Sequence, residues 1–440
     1  MGRRRDGPGT SGGGDGDVSI VATRRTQRAR GPLWRAAMVA VRVVGVMVAL
    51  QAAVLGAISL VAVRRRRRRV PAKGFPHQEV REVEVRGNRL QIFSYGEDLY
   101  NAMFAAIEGA RAFIFLESFI WKDDAIGQEF KERLARKARE GVRVCVIFDR
   151  FGNLVVPAEF KRFPPEIEVL EYSGFNLPWH FVDPRKYALD HRKLLVVDGA
   201  IGFLGGYNIG ALYATQWRDT HLRIEGPEAA DLAQSFVDFW DRARPAAKRL
   251  GRNFPLRFEP AVQYCTNDAA RLIFPIRDMY IEAIDRAQRH IYITNAYFIP
   301  DGALLRALLD AARRGVAVQV LLPWASNHIL ADWLARGFFT DCLRGGIRIF
   351  GYKGVMIHAK TATIDGEWST LGTANLDRLS EVGNHEINIQ VYDPAFAREM
   401  EAIFACDKTN AFELTAERWV KRPWYVKASE LVLAPLRPAL

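Results

Sequence analysis

The sequence predicts an α/β protein made of two similar domains, each an α/β/α sandwich, in a pseudo-twofold arrangement and preceded by one apolar N-terminal helix. Three observations predict it. Six polar residues of the first half, His191, Lys193, Asp198, Gly205, Asn208 and Asp219, recur as His358, Lys360, Asp365, Gly372, Asn375 and Glu386, each pair 167 positions apart. Around them, stretches with strand and helix periodicity alternate in the same order in both halves, as expected of parallel strands joined by crossover helices. Finally, 440 residues exceed the size at which one core usually stops growing, so a duplicated unit is expected.

The elements follow in order. Residues 1–32 are rich in Gly and Arg and poor in large apolar side chains, which predicts a disordered basic tail. Residues 33–63 form the anchor: 43–63 hold no charge, and as a helix these 21 residues span about 31 Å, enough for a bilayer core of roughly 30 Å. Six arginines, Arg64–Arg69, open a polybasic linker over 64–75; they resist translocation and favour anionic headgroups. The first domain is placed at 76–248, with helices at 98–110 and 126–140 and strands at 113–119 and 142–148. The second, at 249–440, answers with helices at 277–289 and 303–314 and strands at 291–295 and 316–322. Gly141 and Gly315 each stand just past the second helix, where positive φ is useful. His191 to Asp198 reads as a strand, and Asp198-Gly199 and Asp365-Gly366 mark hairpins returning through 201–204 and 368–371. The first half carries 13 extra residues before its polar string, since Tyr172 to His191 spans 19 positions and Tyr352 to His358 only 6. This insert, 173–185, holds Phe175, Trp179 and Phe181 and is expected to be a rim loop that touches lipid or packs on its own domain. The stretch 424–436 is expected to cap the second domain.

Charge and cysteine usage exclude other classes. The net charge of +12 is concentrated in residues 1–75, which carry +13 and leave −1 for the remainder. The folded part therefore has no excess of cations to neutralise phosphates along a duplex, and no nucleic-acid partner is expected. Cys145, Cys265, Cys342 and Cys406 lack metal-ligand or disulfide spacing and read as small buried hydrophobes.

The paired strings suit a phosphodiester. Lysine ammonium and asparagine amide groups are donors without negative charge, so Lys193, Lys360, Asn208 and Asn375 can hold non-bridging oxygens. A neutral imidazole can attack phosphorus when a carboxylate fixes its tautomer, a role open to Asp219 and Glu386, while a second imidazole protonates the departing alkoxide. No metal site and no cofactor are expected, because lysines occupy the centre of both strings. Asp198 and Asp365 complete the candidate catalytic set, more suited to fixing hairpins or lysines than to moving protons.

On these residues the chain resembles the phospholipase D superfamily, whose mark is an HxKxxxxD string followed by G and N. Within it the chain is most similar to bacterial cardiolipin synthases. Supporting runs are Gly205-Gly206-Tyr207-Asn208-Ile209, Trp217-Arg218-Asp219-Thr220-His221, Tyr297-Phe298-Ile299-Pro300-Asp301, His358-Ala359-Lys360 and Gly372-Thr373-Ala374-Asn375. The resemblance implies metal-free transfer of a phosphatidyl group between two phosphatidylglycerol molecules through a phosphohistidine, with His191 as nucleophile and His358 as general acid and then base. It implies phosphatidylglycerol and other anionic phospholipids as partners, and a single-pass location in the bacterial inner membrane with the catalytic domains on the cytoplasmic face. Hydrolysis, headgroup exchange, nuclease activity and non-catalytic lipid binding are the alternatives; the sequence is silent on oligomeric state. Asp190 stands where related sequences often carry Asn, and this chain has one predicted membrane helix where many relatives have two.

Overall fold

A computed structural model of the chain describes residues 32–67, 74–174, 188–255 and 258–435. By its contacts the chain divides into Met1–Leu50 and Gln51–Leu440, and both α/β halves lie in the second unit. The N-terminal helix runs over Pro32–Arg67. Within it Ala36–Val54 is long and apolar enough to cross a membrane, the one such stretch among the described residues. Residues 175–187, which include most of the 173–185 insert with its expected lipid-facing Trp179 and Phe181, lie outside the described residues, as does the basic tail before residue 32.

The first sheet contains β1 (Arg81–Val85), β2 (Asn88–Phe93), β3 (Phe113–Ser118), β4 (Arg143–Asp149), β5 (Ile167–Tyr172), β6 (Leu194–Val197), β7 (Ile201–Gly205) and, after the short β8 (Trp217–Arg218), β9 (His221–Glu225). Their order is β1-β2-β9-β7-β6-β3-β4-β5. The second contains β10 (Val262–Asn267), β11 (His290–Asn295), β12 (Ala317–Pro323), β13 (Arg348–Tyr352), then, past β14 (Met356–Ile357), β15 (Lys360–Ile364), β16 (Trp368–Gly372), β17 (Glu386–Tyr392) and β18 (Ala411–Leu414). Its order, β10-β17-β16-β15-β11-β12-β13-β18, repeats that of the first from β2 to β5 and adds an edge strand at the opposite end.

Each sheet is mixed. The crossover strands β3, β4 and β5 pair in parallel, whereas β6, β7 and β9 are antiparallel, because tight turns rather than helices connect β6 to β7. These turns are built as expected: Asp198 and Gly199 adopt φ of 53° and 68°, and Asp365 and Gly366 57° and 66°. Gly141 and Gly315 both take φ of 93° past helices Ala125–Arg139 and Gly302–Arg313. One buried cluster draws on both halves, joining Val196, Leu204 and Leu222 to Leu371, Ile387 and Ile389. That shared core brings the two polar strings together. Helix Trp424–Leu433 packs on helix Ile329–Arg344 and buries Leu433 in the second half's core, so this stretch caps that half. Cys145 and Cys342 are buried and all four cysteines are free.

Candidate active site

The expected strand from His191 to Asp198 forms only over β6, and residues 190–193 leave the sheet for a physical reason. They pair with the other half: Asp190 bridges His385, and the His191 N–H donates to the His385 carbonyl at 3.0 Å. In the second string β14 pairs with β8, and the His358 N–H donates to the Arg218 carbonyl at 2.6 Å. Residues 218 and 385 are 167 positions apart, as are the two histidines, so these hydrogen bonds are related by the pseudo-twofold axis.

The consequence is a crossed arrangement. Nδ1 of His191 lies 3.0 Å from both carboxylate oxygens of Glu386, in the opposite half, and Nδ1 of His358 lies 2.6 Å from Oδ2 of Asp219. All four side chains are buried. Lys193 donates to the His191 carbonyl at 2.6 Å and stands over the ring of Phe119, which meets the His191 ring edge-on. Lys360 donates to the His358 carbonyl and sits 2.9 and 3.1 Å from the two ring nitrogens of His358. Asn208 is buried with its side-chain oxygen accepting from the Ile120 N–H at 3.1 Å, beside Phe119; Asn375 is buried with its side-chain oxygen lacking a donor.

Asp198 and Asp365 are not part of this cluster. Each sits at the far end of its strand from the histidine and accepts three backbone N–H groups at 2.7 to 2.8 Å: Arg111, Ala112 and Phe113 for Asp198, and Gln288, Arg289 and His290 for Asp365. They clamp the hairpin to the start of the neighbouring strand, β3 or β11, and have no path to a reacting phosphorus.

Several residues that shape the site carry no signal in the repeat. Thr373 donates its hydroxyl to Oε2 of Glu386 at 2.6 Å, whereas its counterpart Gly206 leaves space that Asp219 fills: a Cβ at Gly206 would lie 2.1 Å from Oδ1 of Asp219. Arg218, wholly buried, forms two hydrogen bonds to Asp407 at 2.9 and 2.7 Å, and so ties the segment bearing Asp219 to helix Pro394–Thr409. Trp217 and Tyr297 flank the His358 ring. The dipeptide Trp217-Arg218 directly ahead of Asp219 marks those two residues as neighbours of the site, but the partner of Arg218 and the roles of Thr373 and Tyr297 depend on packing.

Burial dominates the electrostatics. It holds His358 down at about 3, with Lys360 adding to the effect and Asp219 opposing it, and it lowers His191 against the pull of Glu386. Burial also brings Lys193 to about 7 and Lys360 to about 8, although nearby carboxylates favour their charged forms. For Asp219 burial acts upward, but Lys360 and His358 together outweigh it and hold the carboxyl at about 2. Glu386 is likewise lowered, burial being outweighed by His191, Lys193 and the Thr373 hydroxyl. Each lysine interacts with carboxylates of both halves and Lys193 also with Lys360, so the two strings form one electrostatic site. The site presents neutral imidazoles and, from its two lysines, positive charge to an arriving anion. Both lysine charges are present below about pH 7 and are lost as pH rises through 8. A pH series of kcat/KM on anionic lipid should therefore fall by about tenfold or more between roughly pH 7 and 9.5, a fall absent if other groups hold the phosphate.

Among the described residues no group of three or more His, Cys, Asp or Glu side chains is placed to hold a metal ion.

Duplicated sheets that converge two histidine–lysine strings on one buried site define a phospholipase D-like phosphoryl-transfer enzyme. A family model described as cardiolipin synthase, PLD-like domain, matches residues 280–408. Cardiolipin synthase A of Pseudomonas entomophila is 36% identical over 346 residues, covering 75% of this chain and 70% of that protein. Cardiolipin synthase of Listeria monocytogenes is 32% identical over 364 residues, covering 80% and 76%. The chain belongs to the cardiolipin synthase family. Among solved structures, phosphatidylserine synthase of Haemophilus influenzae shares the fold at a TM-score of 0.61 and 15% identity, over 81% of this chain and 94% of that one. With membrane-lipid enzymes as relatives and its apolar N-terminal helix, the protein is a membrane-associated enzyme.

Proposed function

We propose that the protein transfers a phosphatidyl group between two phosphatidylglycerol molecules, giving cardiolipin and glycerol. The observation that carries this reading is the crossed pairing of each histidine with the other half's carboxylate, which gives one site two oriented imidazoles. With Nδ1–H directed to the carboxylate, each imidazole presents its Nε2 lone pair to substrate.

In the first step Nε2 of His191 attacks phosphorus, and the bond to the glycerol headgroup breaks as His358, in its protonated form, gives that oxygen a proton. Lys193, Lys360, Asn208 and Asn375 hold the non-bridging oxygens, where negative charge concentrates in the transition state. The phosphate itself raises the proton affinity of His358 by bringing negative charge beside it. In the second step neutral His358 takes the proton from a hydroxyl of another phosphatidylglycerol, whose oxygen attacks phosphorus and displaces His191. The proton balance closes, with His358 protonated again for the next cycle. Glu386 and Asp219 stabilise the positive charge that each imidazole carries in turn.

Lipid rather than a soluble phosphodiester is supported by the anchor helix and by the surface beside His191. Phe151, Leu154 and Val155 are 60%, 63% and 83% exposed. The loop that bears them is held fast by Asn153, which bonds Phe119 and Trp121 next to His191. For the anchor, the arginines after its apolar stretch favour a single pass with the catalytic unit on the cytoplasmic face of the bacterial inner membrane.

Purified protein in phosphatidylglycerol liposomes should yield cardiolipin and glycerol in equal amounts by mass spectrometry and enzymatic glycerol assay. Phosphatidic acid as the main product would identify a hydrolase, and no turnover a lipid-binding protein.

A further inference from the structure

Behind His191 the two halves differ. Glu117, Asp190 and Arg192 are all buried there, at 1%, 0% and 2% exposure. The matching residues of the second half are Ile357 for Asp190 and Ala359 for Arg192, 167 positions on, and Thr294 for Glu117 by strand register. The charged cluster therefore belongs to His191 alone.

Its hydrogen bonds are incomplete in an informative way. Arg192 Nη2 donates to Oε2 of Glu117 at 3.0 Å, the Arg192 N–H donates to Oδ1 of Asp190 at 3.3 Å, and the Asp190 N–H donates to Oδ2 of Asp149 at 2.9 Å. Oε1 of Glu117 and Oδ2 of Asp190 are buried without a donor, both carboxyls are held by Arg192, and each influences the other's protonation. Two carboxylates facing one guanidinium would leave an unbalanced negative charge in a dry interior, which is costly. One proton on either carboxyl removes that charge, and the resulting O–H bonded to the other carboxylate accounts for both orphaned oxygens.

We infer that Glu117 and Asp190 share a single proton and, with Arg192, form a neutral unit that seats the segment carrying His191. Both are positioning residues: Asp190 bridges His385 directly before the hydrogen bond from His191 N–H, and so sets where His191 meets Glu386. The charged and titratable groups around the pair are Lys193 on the same segment, Asp149 at the end of β4, Tyr172 on β5, Arg242 on helix Ala229–Ala243, and Asp268 and His385 from the second half. Burial raises both Glu117 and Asp190, against Arg192, as a retained proton requires.

The inference rests on the role proposed for His191, and the test separates the two. Full-length D190N, E117Q and the double variant are compared for turnover in phosphatidylglycerol liposomes and for thermal midpoint in detergent across pH. Either single amide keeps the unit neutral, so each should stay within about threefold of wild-type turnover at neutral pH. The double variant leaves Arg192 without a counter-charge and should lose about 100-fold or more, or fall in thermal midpoint far beyond the sum of the single changes. The folded wild type holds a proton that the unfolded chain releases, so its stability declines as pH rises from the ordinary carboxylate range; D190N should lack part of that decline. A double variant no worse than the singles, or D190N losing more than about 30-fold at neutral pH, would overturn the inference. Should no preparation show transferase activity, the functional reading fails, while the thermal midpoints still decide whether the proton is shared.

Discussion

Replacing His191 or His358 with asparagine will reduce cardiolipin formation by about 10⁴-fold or more, equivalent to some 5.5 kcal/mol or more of transition-state stabilisation. Asparagine preserves polarity and approximate size but can neither attack phosphorus nor exchange protons near neutral pH. The two histidines act in one cycle, so the double variant should be no worse than the more damaged single one. Steady-state rates on phosphatidylglycerol liposomes check both statements. Additive losses, or one histidine dispensable for full activity, would mean that each half works alone. The backbone hydrogen bonds His191 to His385 and His358 to Arg218 argue against independence, since each histidine segment is built onto the other half.

The second large effect is expected at the carboxylates. Glu386→Gln and Asp219→Asn each remove the charge that balances an imidazolium and allow an amide to face Nδ1 with the wrong donor pattern, and each should cost about 10² to 10⁴-fold in turnover. The crossing gives the two losses different signatures. Glu386 faces His191, so Glu386→Gln should slow formation of the covalent intermediate even from a lipid with a good leaving group, such as phosphatidyl-p-nitrophenol. Asp219 faces His358, and Asp219→Asn should spare p-nitrophenol release, which needs no proton, while slowing glycerol release and transfer to the second lipid. Pre-steady-state p-nitrophenol release separates the two; the reverse assignment would show that the carboxylates serve the histidines of their own halves.

Much of this architecture is legible in the chain because it depends on local rules. The four helices and four strands expected from periodicity fall within a few residues of the observed ones, and the Asp-Gly turns and the glycines at 141 and 315 take the positive φ that their positions require. The set of polar residues that gather is legible too, through the repeat. Which carboxylate serves which histidine is not, because spacing within one half cannot reveal that 190–191 and 357–358 pair with segments of the other. The same reason hides Arg218 and Asp407, which are 189 residues apart and meet only once the halves pack. Asp198 and Asp365 recur as faithfully as the histidines, and what the repeat preserves there is the hairpin-fixing role expected of them, a backbone clamp rather than a reacting group. Thr373 against Gly206, and Asp190 against Ile357, are places where the repeat breaks, and there the two halves of the site acquire different surroundings.

Covalent trapping tests the central claim most directly. Purified His358→Asn protein is mixed with phosphatidyl-p-nitrophenol, quenched and digested, and the modified peptide is sequenced by mass spectrometry. With the proton-accepting partner removed, the phosphatidyl group should accumulate on His191. An adduct on a residue outside the two strings, or none despite p-nitrophenol release, would contradict a shared two-histidine site.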